Sequence, residues 1–382
     1  MKEVKFLLVG LLLIVAICKG YGNPEGNTPL ISEEKQEPVP VKSNIDLVYA
    51  KYGDREMKLD LYVPEDGEGP FPIVVWIHGG GWTEGDKKDC LPLNFGYCQK
   101  GYATASLSYR FINVAPFPAQ IEDCKAAIRW LKAHSKEYNI DPNHIGVWGG
   151  SAGGHLACLL GVTGKTKKFD VGDHLDQTSE VHAICNYFGP TDFLSWLDYL
   201  ESNADLTNLF NGVRITFLGG QMEEKVELAK EASPTTFVDQ NAAPFIHIHG
   251  TVDIIVPVEQ AEKLHDKLRA ANVWSRLFLV PRAGHNGEDF FNPKLLEEVQ
   301  LFFDTNLKNK PPIRCFTKND VLLPHVEISY EFGPEMLPPV KKDKQTLRDG
   351  KTVIDAGTMK TAGFLRCRVY ARYDETETGI FE

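Results

Sequence analysis

The run Gly149-Gly150-Ser151-Ala152-Gly153 sits between an apolar strand-like stretch, HIGVW at 144–148, and an apolar helical one. That setting admits few folds. A G-x-S-x-G turn between a strand and a helix takes the chain through a tight bend. Its glycines let backbone pass close to backbone, and its serine is left exposed at the helix N-terminus. The plain alternative is a glycine-rich strand-to-helix turn without chemistry, so the rest of the chain decides.

Short, continuously apolar runs at 73–78 (IVVWIH), 103–109 (ATASLSY), 144–148, 181–187 (VHAICNY), 245–249 (FIHIH) and 275–280 (SRLFLV) alternate with helical patterns. The patterns cover 118–137, 152–161, 257–271 and 293–308; in the first, Ile121, Cys124, Ala127, Ile128 and Leu131 recur at three and four behind Pro118. Strands buried on both faces and separated by helices predict an α/β fold, a mostly parallel sheet with helices on each side. Before it, IDLVYA and MKLDLYV alternate about Gly53-Asp54 and predict a hairpin. Residues 313–382 return to β-type alternation (HVEISYEF, TVIDAG, FLRCRVYARY), which predicts a small β-rich module of sandwich type.

Lys2 and Lys5 precede the apolar run Phe6–Cys18, which ends at Lys19-Gly20. This is the pattern of a secretory signal peptide, and the run is shorter than the roughly 20 residues that span a bilayer. A secreted or periplasmic chain without stable membrane insertion is expected, with a retained anchor as the alternative. The expected organisation is therefore a signal peptide (1–20), a Pro-rich linker (21–43), an α/β domain that carries the serine turn (44–310) and a β-rich accessory module (311–382). Export permits disulfides. Cys124, Cys158 and Cys185 fall in apolar patterns and are expected to be buried thiols, while Cys90 with Cys98 and Cys315 with Cys367 offer two pairings.

Charge narrows the partners. Against 52 Asp and Glu the chain has 41 Lys and Arg, a net charge of −11, and no basic run, so nucleic acid is not an expected partner.

A serine hydroxyl needs a base held by a carboxylate, in the order Ser, Asp or Glu, His for this kind of turn. Asp253 follows FIHIH and His285 follows SRLFLV, both at the C-terminal ends of strands, the edge where open α/β sheets build sites. Asp192 is the rival acid. His155, His247 and His249 are expected to be packed or hydrogen-bonded rather than catalytic. The run His78-Gly79-Gly80-Gly81-Trp82 after IVVWIH has the form of the loop that supplies oxyanion donors, each worth about 3 to 4 kcal/mol. Gly80, Gly81 and Ala152 are the candidate donors through their amides. Trp82, and Trp196 among the aromatics of 191–220, are candidate substrate-binding walls, with simple packing as the alternative. No cofactor or metal is implied: there is no HExxH or phosphate-cradling glycine loop, and His247 with His249 alone cannot hold an ion.

HGGGWTEGDK, the stretch PAQIEDCKAAIRWLKAHSKEYNIDPNHIGVWGGSAGGH, GPTDF, FLGG, HGTVDIIVP and Gly284-His285 resemble the carbohydrate-esterase branch of the α/β-hydrolases. This branch is related to the hormone-sensitive-lipase-like esterases and includes bifunctional feruloyl and acetyl-xylan esterases. The resemblance covers about residues 44–308 and implies Ser151 as nucleophile, Asp253 as acid and His285 as base. No long N-terminal cap is present, and 191–220 is the segment left to cover the site. DAGTMKTAGFLRC is similar to a small β-domain of some acetyl-xylan esterases of another family. The resemblance implies a secreted serine esterase acting on plant polysaccharide. A small-molecule carboxylesterase or lipase, and a non-catalytic glycan-binding protein on a hydrolase scaffold, are the other readings.

Overall fold

The computed structural model describes residues 39–202, 204–221 and 224–308, and beyond them the backbone of six strands. The expected signal peptide, the linker up to residue 38 and the side chains of Cys315 and Cys367 lie outside the described residues. The chain divides into two units, 1–302 and 303–382.

The alternating runs about Gly53-Asp54 form an antiparallel pair, β1 (Val41–Tyr52) and β2 (Arg55–Pro64). Next come β3 (Phe71–Ile77), a single turn α1 (Leu91–Asn94), β4 (Ala103–Leu107), α2 (Ala119–Ala133), β5 (Ile140–Gly150) and α3 (Ala152–Thr163). The order continues with β6 (Ala183–Tyr187), α4 (Phe193–Glu201), α5 (Ala204–Leu218), α6 (Val226–Glu231), β7 (Phe245–Gly250), α7 (Glu259–Ala270), β8 (Ser275–Val280) and α8 (Pro293–Leu307). Strand order in the sheet is β1-β2-β4-β3-β5-β6-β7-β8. β2 pairs antiparallel with β1 and β4, and every pairing from β4 to β8 is parallel. The protein thus has the mostly parallel sheet flanked by helices that its continuous apolar runs predict.

Two boundaries moved for local reasons. The helix read to 137 ends at Ala133, where His134 leaves helical geometry, turns its ring onto Trp130 at 4.1 Å and accepts its place as C-cap. The strand then starts four residues earlier than HIGVW. α3 is buried at every residue, which fits a helix apolar all round and set against the sheet centre. On α2, Lys125 and Arg129 are also buried, each facing Asp170 at 3.0 and 3.2 Å. These ion pairs join residues more than forty positions apart, so periodicity could not foresee them.

In the second unit the strands are β9 (Pro312–Arg314), β10 (Glu327–Phe332), β11 (Lys342–Thr346), β12 (Lys351–Val353), β13 (Leu365–Tyr373) and β14 (Glu377–Phe381). They form an antiparallel sheet ordered β11-β10-β13-β14 and an antiparallel pair of β12 and β9.

Candidate active site

Ser151 is held by the crossing of β5 into α3. Its φ of 54° and ψ of −121° are strained for a residue with a side chain, and the strain is locked from both sides. The Ser151 amide donates to Tyr187 O at 2.9 Å, and Ser151 O accepts from the His155 amide at 2.9 Å. The flanking glycines are required by contact rather than by conformation. A Cβ on Gly149 would lie 2.2 Å from Gly153 O, and one on Gly153 would lie 2.0 Å from Ile77 O.

The serine hydroxyl meets His285 across 134 residues, with Oγ 2.8 Å from Nε2. His285 Nδ1 lies 2.8 Å from Asp253 Oδ2. A carboxylate only accepts, so Nδ1 carries the proton, and Nε2 is left as the acceptor for the Ser151 hydroxyl. The other oxygen of Asp253 accepts from the amides of Ile255 and Val256, both at 2.9 Å. His249, on β7, places Nε2 3.3 Å from Oδ2 and 2.7 Å from Val256 O. Burial alone would raise the Asp253 carboxyl, but the His285 and His249 imidazoles outweigh it by charge and hydrogen bonding. They hold it well below the usual carboxylate range.

Asp192, the rival acid, is engaged elsewhere. It caps α4 by accepting from the Ser195 amide at 3.2 Å, with Lys263 3.7 Å from its other oxygen. The remaining histidines are packed, as expected of them. His155 Nε2 donates to Ala232 O at 2.7 Å, and burial pushes the ring down to about 4. His247 is buried against Phe245 and Asn186 and is pushed down to about 3.

The loop after β3 brings Gly79 and Gly80 to the cleft that holds Ser151. Gly80 and Gly81 take φ of 101° and 57°, and Gly80 O accepts from the amides of Thr83 and Glu84, which folds the loop back on itself. Ala152 supplies the first amide of α3, directly after the serine. Among the described residues no hydrogen bond occupies the amides of Gly80, Gly81 or Ala152.

The two tryptophans are a correction. Neither Trp82 nor Trp196 lines the cleft; both are buried, at 3% and 5% exposure, in an aromatic cluster with Phe193 and Phe217. The Trp82 ring sits edge-on to that of His155, on α3, at 5.4 Å. Trp196 braces the acid loop instead, donating from Nε1 to Ile255 O at 2.8 Å, and Tyr199 does the same to Ile254 O at 2.9 Å. The cleft encloses about 280 Å3, and its aromatic walls are Trp76, Tyr187, Phe188 and Phe291. Its polar rim is Glu84, Asp89, Asn94 and Asn286. These were missed because Trp76 and Tyr187 sit within strand runs that read only as core. Phe188 has a φ of 42°, which no pattern announces. Cys90 and Cys98 are also corrected. Both are free buried thiols, Cys98 against Thr104 Oγ1 at 3.7 Å and Cys90 against Ala105 O at 3.9 Å, and Cys124, Cys158 and Cys185 are buried and free as expected.

Chemically, this is a hydroxyl with a base within proton-transfer distance, an ionised carboxylate behind the base, and a glycine loop of which Gly79 and Gly80 line the same cleft, while Gly81 and Ala152 adjoin it in sequence without lining it. It is an arrangement for acyl transfer.

Residues 59–268, more than half of the chain, match the BD-FAE family model. A probable carboxylic ester hydrolase, LipM, of Mycobacterium tuberculosis is 32% identical over 59% of this chain and 51% of its own length. The chain spans about half the length of the curated relatives it matches. Among solved structures, a truncated carbohydrate esterase from gut microbiota superposes with a TM-score of 0.61 at 27% identity, covering 71% of this chain and 98% of that one. A bifunctional GH43-CE protein of Bacteroides eggerthii gives 0.62 at 31% identity, covering 72% of this chain and 36% of that one.

Proposed function

The chain belongs to the BD-FAE family, and on that premise we propose that it is a serine esterase that deacylates plant cell-wall polysaccharide by acetyl-xylan or feruloyl ester hydrolysis. The observation that carries the proposal is the 2.8 Å contact of Ser151 Oγ with His285 Nε2, backed by the 2.8 Å contact of His285 Nδ1 with Asp253. Ser151 Oγ attacks the ester carbonyl as its proton passes to His285. The amides of Gly80, Gly81 and Ala152 take the charge that develops on the carbonyl oxygen. Collapse breaks the ester C–O bond, and His285 returns the proton to the departing sugar hydroxyl. Water, deprotonated by the same imidazole, then attacks the acyl-Ser151 carbonyl, and His285 returns that proton to Ser151 Oγ as its C–O bond breaks and the acid is released. Asp253, already ionised, keeps the imidazole in one tautomer and stabilises its protonated form through the cycle.

The carbohydrate class rests on the carbohydrate esterase that superposes over nearly its whole length, and on a cleft walled by aromatic rings, which suit sugar faces and feruloyl groups alike. The curated carboxylic ester hydrolases favour a second reading, a small-molecule carboxylesterase. Secretion, which rests on the Lys2–Gly20 pattern, is part of the proposal. Acetylated and feruloylated arabinoxylan incubated with the protein, with Ser151→Ala as control, tests it. Serine-dependent release of acetate or ferulate supports the polysaccharide reading and identifies the acyl group. Turnover of p-nitrophenyl esters without either acid moves the assignment to small esters, and inactivity on both leaves a non-catalytic glycan binder.

A further inference from the structure

We infer that Tyr109 is a positioning residue of the oxyanion site, acting through the carbonyl of Gly79 to aim the amide of Gly80 into the cleft. The inference rests on the esterase reading above and concerns a residue outside its motifs.

β4 runs parallel beside β3, so the chain just past its end, at Tyr109, arrives next to the loop just past the end of β3. Tyr109 is buried, at 2% exposure, and its ring stacks on that of His78 with centroids 4.5 Å apart and planes 18° apart. Its hydroxyl lies 3.1 Å from His78 O and 3.3 Å from Gly79 O. Both are carbonyl oxygens, so the hydroxyl donates to them. The same Gly79 O lies 2.8 Å from His78 Nδ1. Gly79 O is therefore gripped by two donors whose rings are stacked on each other.

A trans peptide is planar, and its C=O and N–H point in opposite directions. Gly79 C=O and Gly80 N–H belong to one such plane. Fixing the carbonyl toward Tyr109 and His78 turns the Gly80 amide the other way. Gly79 and Gly80 line the cleft together with His78, and a Cβ on Gly79 would lie only 3.4 Å from Ser151 Cβ, so the Gly79–Gly80 peptide runs beside the nucleophile. Glycines hold no preferred orientation of their own, so the loop's aim must come from such outside contacts. His78 keeps its share of the grip across the neutral range, because burial pushes its imidazole down to about 4 and the single proton stays on the nitrogen that faces an acceptor. Tyr109 supplies the second contact and spans two successive carbonyls, which resists rotation of the plane.

Tyr109→Phe removes the hydroxyl and keeps the ring stacked on His78. The comparison uses p-nitrophenyl acetate kinetics per active site titrated with a p-nitrophenyl phosphonate, together with inhibition by an alkyl boronic acid. The tetrahedral boronate adduct places an oxygen where the oxyanion forms, whereas the ground-state ester does not require that contact. Loss of one well-aimed donor costs about 100-fold or more, so partial loss of aim is expected to lower kcat by about tenfold. KM is expected to stay within about twofold, and boronate affinity to weaken by the same factor as kcat/KM. Tyr109→Met serves as a second variant without the hydroxyl, should Phe not fold. Unchanged kcat and boronate affinity in a variant of an active enzyme would overturn the role of Tyr109 and leave the esterase reading standing. So would a kcat loss that boronate affinity does not follow. Absence of Ser151-dependent turnover in the parent protein would instead remove the esterase reading, and this inference with it.

Discussion

His249 Nε2 lies 3.3 Å from Oδ2 of Asp253, the same oxygen that accepts from His285. It also lies 2.7 Å from Val256 O, and the Val256 amide donates to the second oxygen of Asp253. His249, Val256 and Asp253 thus close a hydrogen-bonded ring in which both carboxylate oxygens are spoken for. Such a ring stops the carboxylate from rotating and lowers its appetite for the His285 proton.

Replacing His249 by Phe opens the ring while filling much the same space. We expect kcat/KM on p-nitrophenyl acetate to fall by about tenfold, and His249→Gln, which keeps a donor, to recover part of it. Steady-state kinetics on the three proteins decides the matter. A Phe variant as fast as the parent would deny the ring any catalytic consequence.

Acidification should destabilise the fold through its buried histidines. His78 and His155 are pushed down to about 4 by burial, whereas an unfolded imidazole takes up its proton near about 6.5. Between these values the unfolded chain binds more protons, so unfolding free energy falls as pH falls. One such histidine accounts for about 2 kcal/mol between pH 7 and pH 5. His155→Gln can still donate to Ala232 O but cannot titrate. Urea unfolding at the two pH values should show it losing about 2 kcal/mol less than the parent, and equal losses would contradict the assignment.

Gly153→Ala tests the contact that the elbow imposes. Its Cβ would arrive 2.0 Å from Ile77 O, a backbone atom at the C-terminal end of β3. Overpacking of this kind costs about 1 to 3 kcal/mol or more. Urea unfolding should show at least that loss, and the fraction that folds should be slower per titrated serine. A fully stable, fully active Ala variant would mean that the strand end and helix start can separate at no cost.

The aromatic residues divide into core and wall, and a pair of variants separates the two. Trp82→Ala is expected to destabilise by about 3 to 5 kcal/mol, because it empties a buried cluster. Phe291→Ala, at the cleft, is expected to raise KM for a feruloyl ester severalfold more than for an acetyl ester. Unfolding curves and the two KM values check both. A selective KM effect from Trp82→Ala would return that residue to the substrate.

What the sequence carried well were features written in one place. The elbow, the glycine loop and the ends of FIHIH and SRLFLV each combine a strand pattern with chemistry-bearing residues beyond it, and the sheet brings those ends to one edge. The aromatics failed for the opposite reason. Whether Trp82 walls the cleft or joins a buried cluster depends on where α4 and α5 place Phe193 and Phe217, and the sequence of residues 191–220 has no signal for that. Trp76 and Tyr187 were hidden because a strand buried on both faces looks alike at a cleft and in a core. Tyr109 was hidden because its partners are backbone carbonyls 30 and 31 residues away, and a carbonyl has no letter in a sequence.

The most direct test follows the acyl group itself. The protein is mixed rapidly with p-nitrophenyl acetate, quenched in acid within the first turnover and digested for mass spectrometry. We predict a burst of about one p-nitrophenol per site and an acetyl group on the peptide that contains Ser151, with both absent from Ser151→Ala. An acetyl group on another residue, or undiminished hydrolysis by Ser151→Ala in a folded protein, would contradict the assignment of Ser151 as nucleophile.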